Sequence, residues 1–156
     1  NGETAAELHE RMAALGAECL LKTLELVSTG QLQPQAQDHT RATYSQKITK
    51  QDALIDWQLS ATDILLRVRA FNAWPVAYTH LGEMRLRIWQ AEVLDQITDS
   101  QPGTVIAFST LGLDVATGEG VLRVTACQRP GSKVLPIKDF YNSAKSHWAV
   151  GESILQ

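Results

Sequence analysis

Cysteine is scarce in this sequence. Cys19, in ECLLKTL, and Cys127, in VTACQ, are the only two in 156 residues, and they share no spacing motif. That argues against a disulfide framework or a thiolate metal cluster, and it predicts two small buried hydrophobes in a reducing compartment. No apolar run approaches the roughly 20 residues that a helix needs to span a bilayer, and no secretory signal pattern is present. Internal repeats and low-complexity tracts are also missing. The sequence starts at Asn1 rather than Met and runs almost at once into a helical pattern, as a fragment or a processed product would. Nor does either sign of charge dominate: the net charge is −3, which does not by itself advertise nucleic-acid binding. The acid excess lies at the front, where residues 1–30 hold two basic and five acidic side chains, whereas residues 101–156 hold five basic and four acidic. The remainder is close to neutral, and a one-sided basic face can form there.

What is present fits one globular domain with an appended segment. The chain is 44% hydrophobic and 20% charged, near the globular averages, so it can build a sizeable core. Thr4 and Glu7 form a capping box. Ala5, Leu8, Met12 and Leu15 then recur at helical spacing, continued by Leu20, Leu24 and Val27. Gly16 is a point where this run divides or kinks, and Gly30 suits a left-handed cap. The apolar stripe has no partner element before it. Residues 31–46 are polar and aperiodic, with Pro34, and read as an extended linker.

Two more capping boxes follow, Thr49 with Asp52 and Ser60 with Asp63. The second opens an amphipathic helix carrying Ala61, Ile64, Leu65, Val68 and Phe71, stopped at Trp74-Pro75. Helix initiation accounts for these aspartates, and for neighbouring Asp56, better than an acidic metal site does. The period then switches to two. Strands are predicted at 76–80, 84–94, 104–109, 111–116 and 121–127, with a hairpin turn at Gly82-Glu83. In 84–94, Met84, Leu86 and Ile88 share one face while Arg85, Arg87 and Trp89 share the other, and a phase shift after Gln90 predicts a bulge. Residues 136–145 return to a helical pattern. The fold class is α+β, mainly β: a five- to six-stranded OB-like β-barrel, closed and with flanking helices, preceded by an isolated amphipathic helix and a linker. Trp57, Trp74 and Trp148 lie among apolar residues and are expected in the core, whereas Trp89 sits with the arginines.

Five ordered stretches carry a resemblance: TYSQKITKQDALIDWQLSA (43–61), RAFNAWPVAYT (69–79), PGTV (102–105), VATGEGVLRV (115–124) and DFYNSAKSHW (139–148). Together they resemble the carboxyl-terminal domain of methionyl-tRNA formyltransferases, and the opening helix resembles the last helix of that family's catalytic domain. The resemblance implies three parts: 1–30 as the terminal helix of a catalytic domain, 31–46 as linker, and 47–156 as the carboxyl-terminal OB-like domain. It implies a parent enzyme that transfers formyl from 10-formyltetrahydrofolate to the methionine amino group of initiator tRNA in the bacterial cytoplasm. The family's chemistry sits in an amino-terminal domain, in cis, whose His belongs to an HxSLLP stretch. His9, His39, His80 and His147 lie in no such stretch. No catalytic, cofactor-binding or metal residue is therefore carried over, and the isolated chain is expected to be inactive.

The family assigns tRNA positioning to this half. Lys47 and Lys50 match basic positions in the joining segment, and Lys133 and Lys145 match basic positions in the final loop and helix. Where the family often has paired arginines, this chain has Ala144-Lys145; one charge is lost, and lysine lacks the planar fork of arginine. Arg85 and Arg87 join the candidates from strand alternation alone, while Arg67 and Arg69 read as surface ion-pairing residues. Two other readings stay open. The domain can serve a related formyltransferase or formyl-folate hydrolase in a structural role, or it can oligomerise, with self-association through residues 4–27.

Overall fold

A computed structural model of the chain describes residues 2–144 and 150–151. The chain divides into two compact units, Ala6–Ile48, and Thr49–Gln156 together with Asn1–Ala5.

In the first unit, α1 (Ala5–Ser28) runs unbroken through Gly16. It ends where Gly30, at φ +67°, donates its N–H to Val27 O and Gln31 N–H reaches back to Leu26 O. This left-handed cap is what the Ser-Thr-Gly sequence predicts. No residue of α1 is buried. Leu8, Met12, Leu15, Leu20, Leu24 and Val27 are all exposed, and Cys19, expected to be buried, is exposed with them. The expectation failed because burial needs a second surface, and a stripe pattern alone does not supply one. Residues 31–48 form no regular element apart from one 3₁₀ turn, His39–Arg41, which Asp38 caps through Thr40 N–H.

The second unit starts with the two predicted caps. The Asp52 carboxylate accepts from Thr49 N–H at 2.6 Å and from the Thr49 hydroxyl at 2.9 Å, and these bonds hold its pKa below the ordinary value, the backbone bond first. Ser60 Oγ accepts from Asp63 N–H and donates to the Asp63 carboxylate, starting α2 (Ala61–Ala70). Helix α2 buries Ala61, Ile64 and Val68. In the turn that follows, Val76 holds φ at +69°, a region strained for a β-branched residue, while its N–H donates to Phe71 O. This turn corrects one expectation: Pro75 and Val76 go inward, and Trp74 is left 59% exposed.

The strands are β1 (Tyr78–Leu81), β2 (Met84–Leu94), β3 (Val105–Phe108), β4 (Leu113–Ala116), β5 (Val121–Gln128) and β6 (Leu135–Pro136), followed by α3 (Ile137–Ala144). Their order is β1-β2-β5-β4-β3, antiparallel throughout, with β6 on β5. The sheet curls into a half-barrel of OB-like type. A closed barrel was expected; among the described residues no pairing joins β1 to β3, and the path stays open. The bulge after Ile88 is present as register shifts on either side of Gln90.

Between the two capped turns, residues 54–61 run as a strap from β1 to the turn joining β4 to β5. Leu54 bridges Tyr78 in parallel, and Ile55 N–H donates to Tyr78 O. The buried Trp57 ring N–H donates to Thr79 Oγ1 at 2.9 Å. At the far end Ala61 N–H donates to Glu119 O, and Gly118 N–H is shared between Trp57 O and Leu59 O. Inside lie Ile55, Trp57, Ile64, Val68, Leu86, Ile88, Leu113, Val115, Leu122, Val124 and Phe140. Each fully buried side chain of this kind contributes about 1.5–3 kcal/mol. Cys127 is buried as expected, and desolvation pushes its thiol pKa up to about 12.

One charge pair also lies within the sheet. Asp114 and Arg123 face each other across β4 and β5 and form two hydrogen bonds, 2.7 and 2.8 Å. Their side chains are 7% and 22% exposed, and Glu92 on β2 lies 3.9 Å from the same guanidinium.

A Cβ at Gly118 would overlap the Gln58 carbonyl. Gly118→Ala is therefore expected to destabilise the chain by about 2 kcal/mol or more, read as a lower denaturation midpoint; an unchanged midpoint would show that the strap gives way freely. Asp114→Ala removes the two short hydrogen bonds of the Arg123 guanidinium and leaves it Glu92 at 3.9 Å; it is expected to cost about 3 kcal/mol, the low end for a broken buried pair because Arg123 keeps some solvent and that second carboxylate. The double change Asp114→Leu with Arg123→Met should cost much less.

Candidate nucleic-acid interface

Strand alternation in β2 sends Met84, Leu86 and Ile88 toward the core and Arg85, Arg87 and Trp89 to the outer face, with Leu86 and Ile88 fully buried and Arg87 exposed. The neighbouring strands decide what these outward residues meet. Tyr78 pairs with Arg87 and His80 with Arg85 across β1 and β2, while Gln128 pairs with Arg87 across β5. The Arg85 guanidinium lies over the Tyr78 ring, 3.5 Å from its centroid. The Tyr78 ring in turn meets His80 edge-on at 5.4 Å. Gln128 Oε1 accepts from the Trp89 ring N–H at 3.1 Å and from Arg87 at 3.4 Å, and Gln128 Nε2 donates to Ser132 O at 2.8 Å. One amide thus ties β2 to the loop that follows β5.

That loop adds a residue which sequence reasoning missed. Arg129 follows β5 immediately, and its guanidinium sits over the Phe140 ring of α3 at 4.5 Å. Arg85, Arg87 and Arg129, with Pro130 and Gly131, line one cleft of about 280 Å³. None of these lining residues is acidic. The only sequence signal for Arg129 is its place in the turn string Arg-Pro-Gly at a strand end, and its meeting with β2 depends on a pairing between distant strands.

The predicted cations are distributed as follows. Arg85 and Arg87 share the cleft. Lys50 is exposed at the start of the 3₁₀ turn Gln51–Ala53, and Lys133 is exposed in the loop between β5 and β6; neither is among the described lining residues. Lys47 is exposed in the Ala6–Ile48 unit. Lys145, like His147 and Trp148, lies outside the described residues. Trp89 is half-buried, with its ring N–H engaged by Gln128. Asp52, Asp56 and Asp63 accept from Thr49, Gln58 and Ser60 respectively, as capping groups do.

A curled five-strand path braced by a strap and two helices, with an arginine-lined outer cleft, defines a small OB-like α+β module. More specifically, the chain belongs to the formyl transferase C-terminal domain family, whose profile matches residues 47–145. It is similar to the methionyl-tRNA formyltransferase of Methylococcus capsulatus, 48% identical over 141 residues that make up 90% of this chain and 46% of that protein. It is likewise similar to that of Marinobacter nauticus, 41% identical over 152 residues, covering 97% of this chain and 49% of that protein. The chain thus spans about half the length of the curated relatives it matches. Among solved structures, a HypX variant from Aquifex aeolicus shares the fold with a TM-score of 0.70 at 20% identity, over 94% of this chain and 27% of that one. HypX in complex with tetrahydrofolic acid gives 0.64 at 20% identity, over 85% and 24%.

Gln128 is the shared acceptor for Trp89 and Arg87. Gln128→Leu is expected to lower stability by about 1 kcal/mol and to loosen the loop after β5. A fall in the denaturant midpoint at constant slope checks the first effect, and faster amide exchange at Arg129–Ser132 checks the second.

Proposed function

We propose that this chain is the tRNA-holding half of a methionyl-tRNA formyltransferase, an enzyme that passes formyl from 10-formyltetrahydrofolate to the methionine amino group of initiator tRNA in the bacterial cytoplasm. The observation that carries this reading is the gathering of Arg85, Arg87 and Arg129 at one cleft with no acidic residue among the described lining residues, on a family member whose overall charge is −3. A negatively charged chain that concentrates guanidinium groups on one outer face is built to meet phosphates. Lys47, Lys50, Lys133 and Lys145 extend the cationic set on this reading, as simple point charges.

The chemistry is assigned to an amino-terminal half. Neither the arginine cleft nor the hollow lined by Gln37, Asp38, His39, Arg41 and Ala42 has the apolar lining that a pterin ring calls for, which favours placing the folate donor in that other half. We assign 1–30 to the last helix of the catalytic domain, 31–46 to the linker and 47–156 to the carboxyl-terminal domain. The exposed leucines of α1 favour this division, because an amphipathic helix is stable when its stripe is covered. The same stripe supports the alternative of a structural or self-associating domain in a related formyltransferase or formyl-folate hydrolase. Among the described residues no helix is long and apolar enough to cross a membrane.

The test uses the full-length protein. Changing Lys47, Lys50 and Lys145 together to Ala is expected to weaken initiator-tRNA binding at least tenfold, with a shallower dependence on salt, about one unit of slope per lost phosphate contact. Undiminished tRNA formylation by the triple variant would sink the reading, and formylation of a different amine acceptor by the wild-type protein would favour the alternative.

A further inference from the structure

The arginine cleft has features that a merely solvated cationic face does not need. Arg85 and Arg129 are half-buried and each is laid on an aromatic ring, and those rings are anchored: Tyr78 is 8% exposed and Phe140 1%. The Nε atoms of both arginines are shielded from water and have no hydrogen-bond partner among the described residues. Arg87 meets the neutral Gln128 amide, at a long 3.4 Å. The loop bearing Arg129 is itself fixed, by Ser132 N–H to Arg129 O at 3.2 Å and by Gln128 to Ser132 O, with Gly131 at φ +71° making the turn. Three guanidinium groups are therefore gathered without a carboxylate among the described lining residues, and those of Arg85 and Arg129 are restrained by their rings before any partner arrives. Such an arrangement is complementary to a group with several anionic oxygens, because a guanidinium presents its donors as a planar fork.

The cleft also sits where a small ligand would be poorly enclosed. Arg87, Pro130 and Gly131 are exposed, whereas small-molecule sites bury most of their ligand. A phosphate presented by a large molecule fits better than a free one. We propose that Arg85, Arg87 and Arg129 form a preformed seat for a single phosphodiester of an RNA backbone, with Arg129 an RNA-contacting residue beside the two on β2. This inference rests on the tRNA-holding reading and adds to it a specific seat and a specific residue.

The experiment follows the arginine Nε–Hε resonances of the 156-residue chain by NMR while inorganic phosphate or a short RNA hairpin is added in separate titrations, and it measures RNA affinity across a salt series. The expected result is that RNA shifts the Arg85 and Arg129 resonances at concentrations where inorganic phosphate at the same level does not. Arg129→Met and Arg87→Met should each weaken RNA binding about five- to tenfold and flatten the salt slope by about one. Arg87 is exposed and its variant should fold, so the pair remains informative if Arg129→Met does not. Lys47→Ala with Lys50→Ala should weaken RNA binding and leave the Nε response of the residual complex in place. RNA affinity and salt slope retained in full by the arginine variants would overturn the seat, and the tRNA reading would then rest on the family match and the lysines alone. Failure of the wild-type chain to bind RNA at all would overturn both. Saturation by inorganic phosphate with no effect of the variants on RNA would make the cleft a free-anion site and overturn the proposal.

Discussion

The strap from Leu54 to Ala61 is the constraint on which the barrel unit depends. It is held at one end by Ile55 on Tyr78 and at the other by Gly118 on Trp57 and Leu59, so it spans the gap between β1 and the turn joining β4 to β5. A half-barrel with an open path has two free edges, and unpaired backbone buried at such an edge is expensive. Here the strap supplies partners to β1 and to the turn joining β4 to β5 without becoming a strand, and Trp57 adds a core side chain, its ring N–H satisfied by Thr79. Helix α2 starts where the strap ends, so the strap also fixes where Ile64 and Val68 land on the sheet. Gly118 carries no Cβ because the Gln58 carbonyl occupies that space.

From this frame the outer face follows. Pairing β2 with β5 brings Arg87 beside Gln128 and carries the next residue, Arg129, to the same cleft. Helix α3, packed through Ile137 and Phe140, provides the ring beneath Arg129. The aromatic residues of this unit thus serve as floors for cations on the outside as well as fillers inside. A stacked arginine surrenders less freedom on binding than a free one, because its side chain is already ordered.

Much of this was legible in the sequence because the signals were local. The bounds of β2 follow from its period-two alternation, and the phase change after Gln90 marked the bulge. The Ser60–Asp63 box marked the start of α2, and Gly30 marked the end of α1. What escaped was non-local. The two-residue β6 is too short to leave a pattern, and its pairing with β5 is visible only in three dimensions. Arg129 gained significance from the β2–β5 pairing and from Phe140, eleven positions onward in the chain. The apolar neighbours of Trp74 point to the core, yet the turn at Pro75–Val76 leaves it exposed. Cys19 shares an apolar stripe of which no residue is buried. Of the candidate cations, strand alternation placed Arg85 and Arg87 together, whereas Lys47, Lys50 and Lys133 are exposed at separate points along the chain.

The Asp114–Arg123 pair has a consequence for behaviour in heat. It joins β4 to β5 in the middle of the sheet, with Glu92 of β2 on the far side of the same guanidinium. Removing such groups from water is costly at room temperature, but the hydration of ions weakens on warming while hydrophobic burial gains little more. The share of cohesion carried by these three central strands through their charges therefore grows with temperature. On warming, the last part of this sheet to loosen should be the β2–β5–β4 centre, after the β1 and β3 margins have frayed.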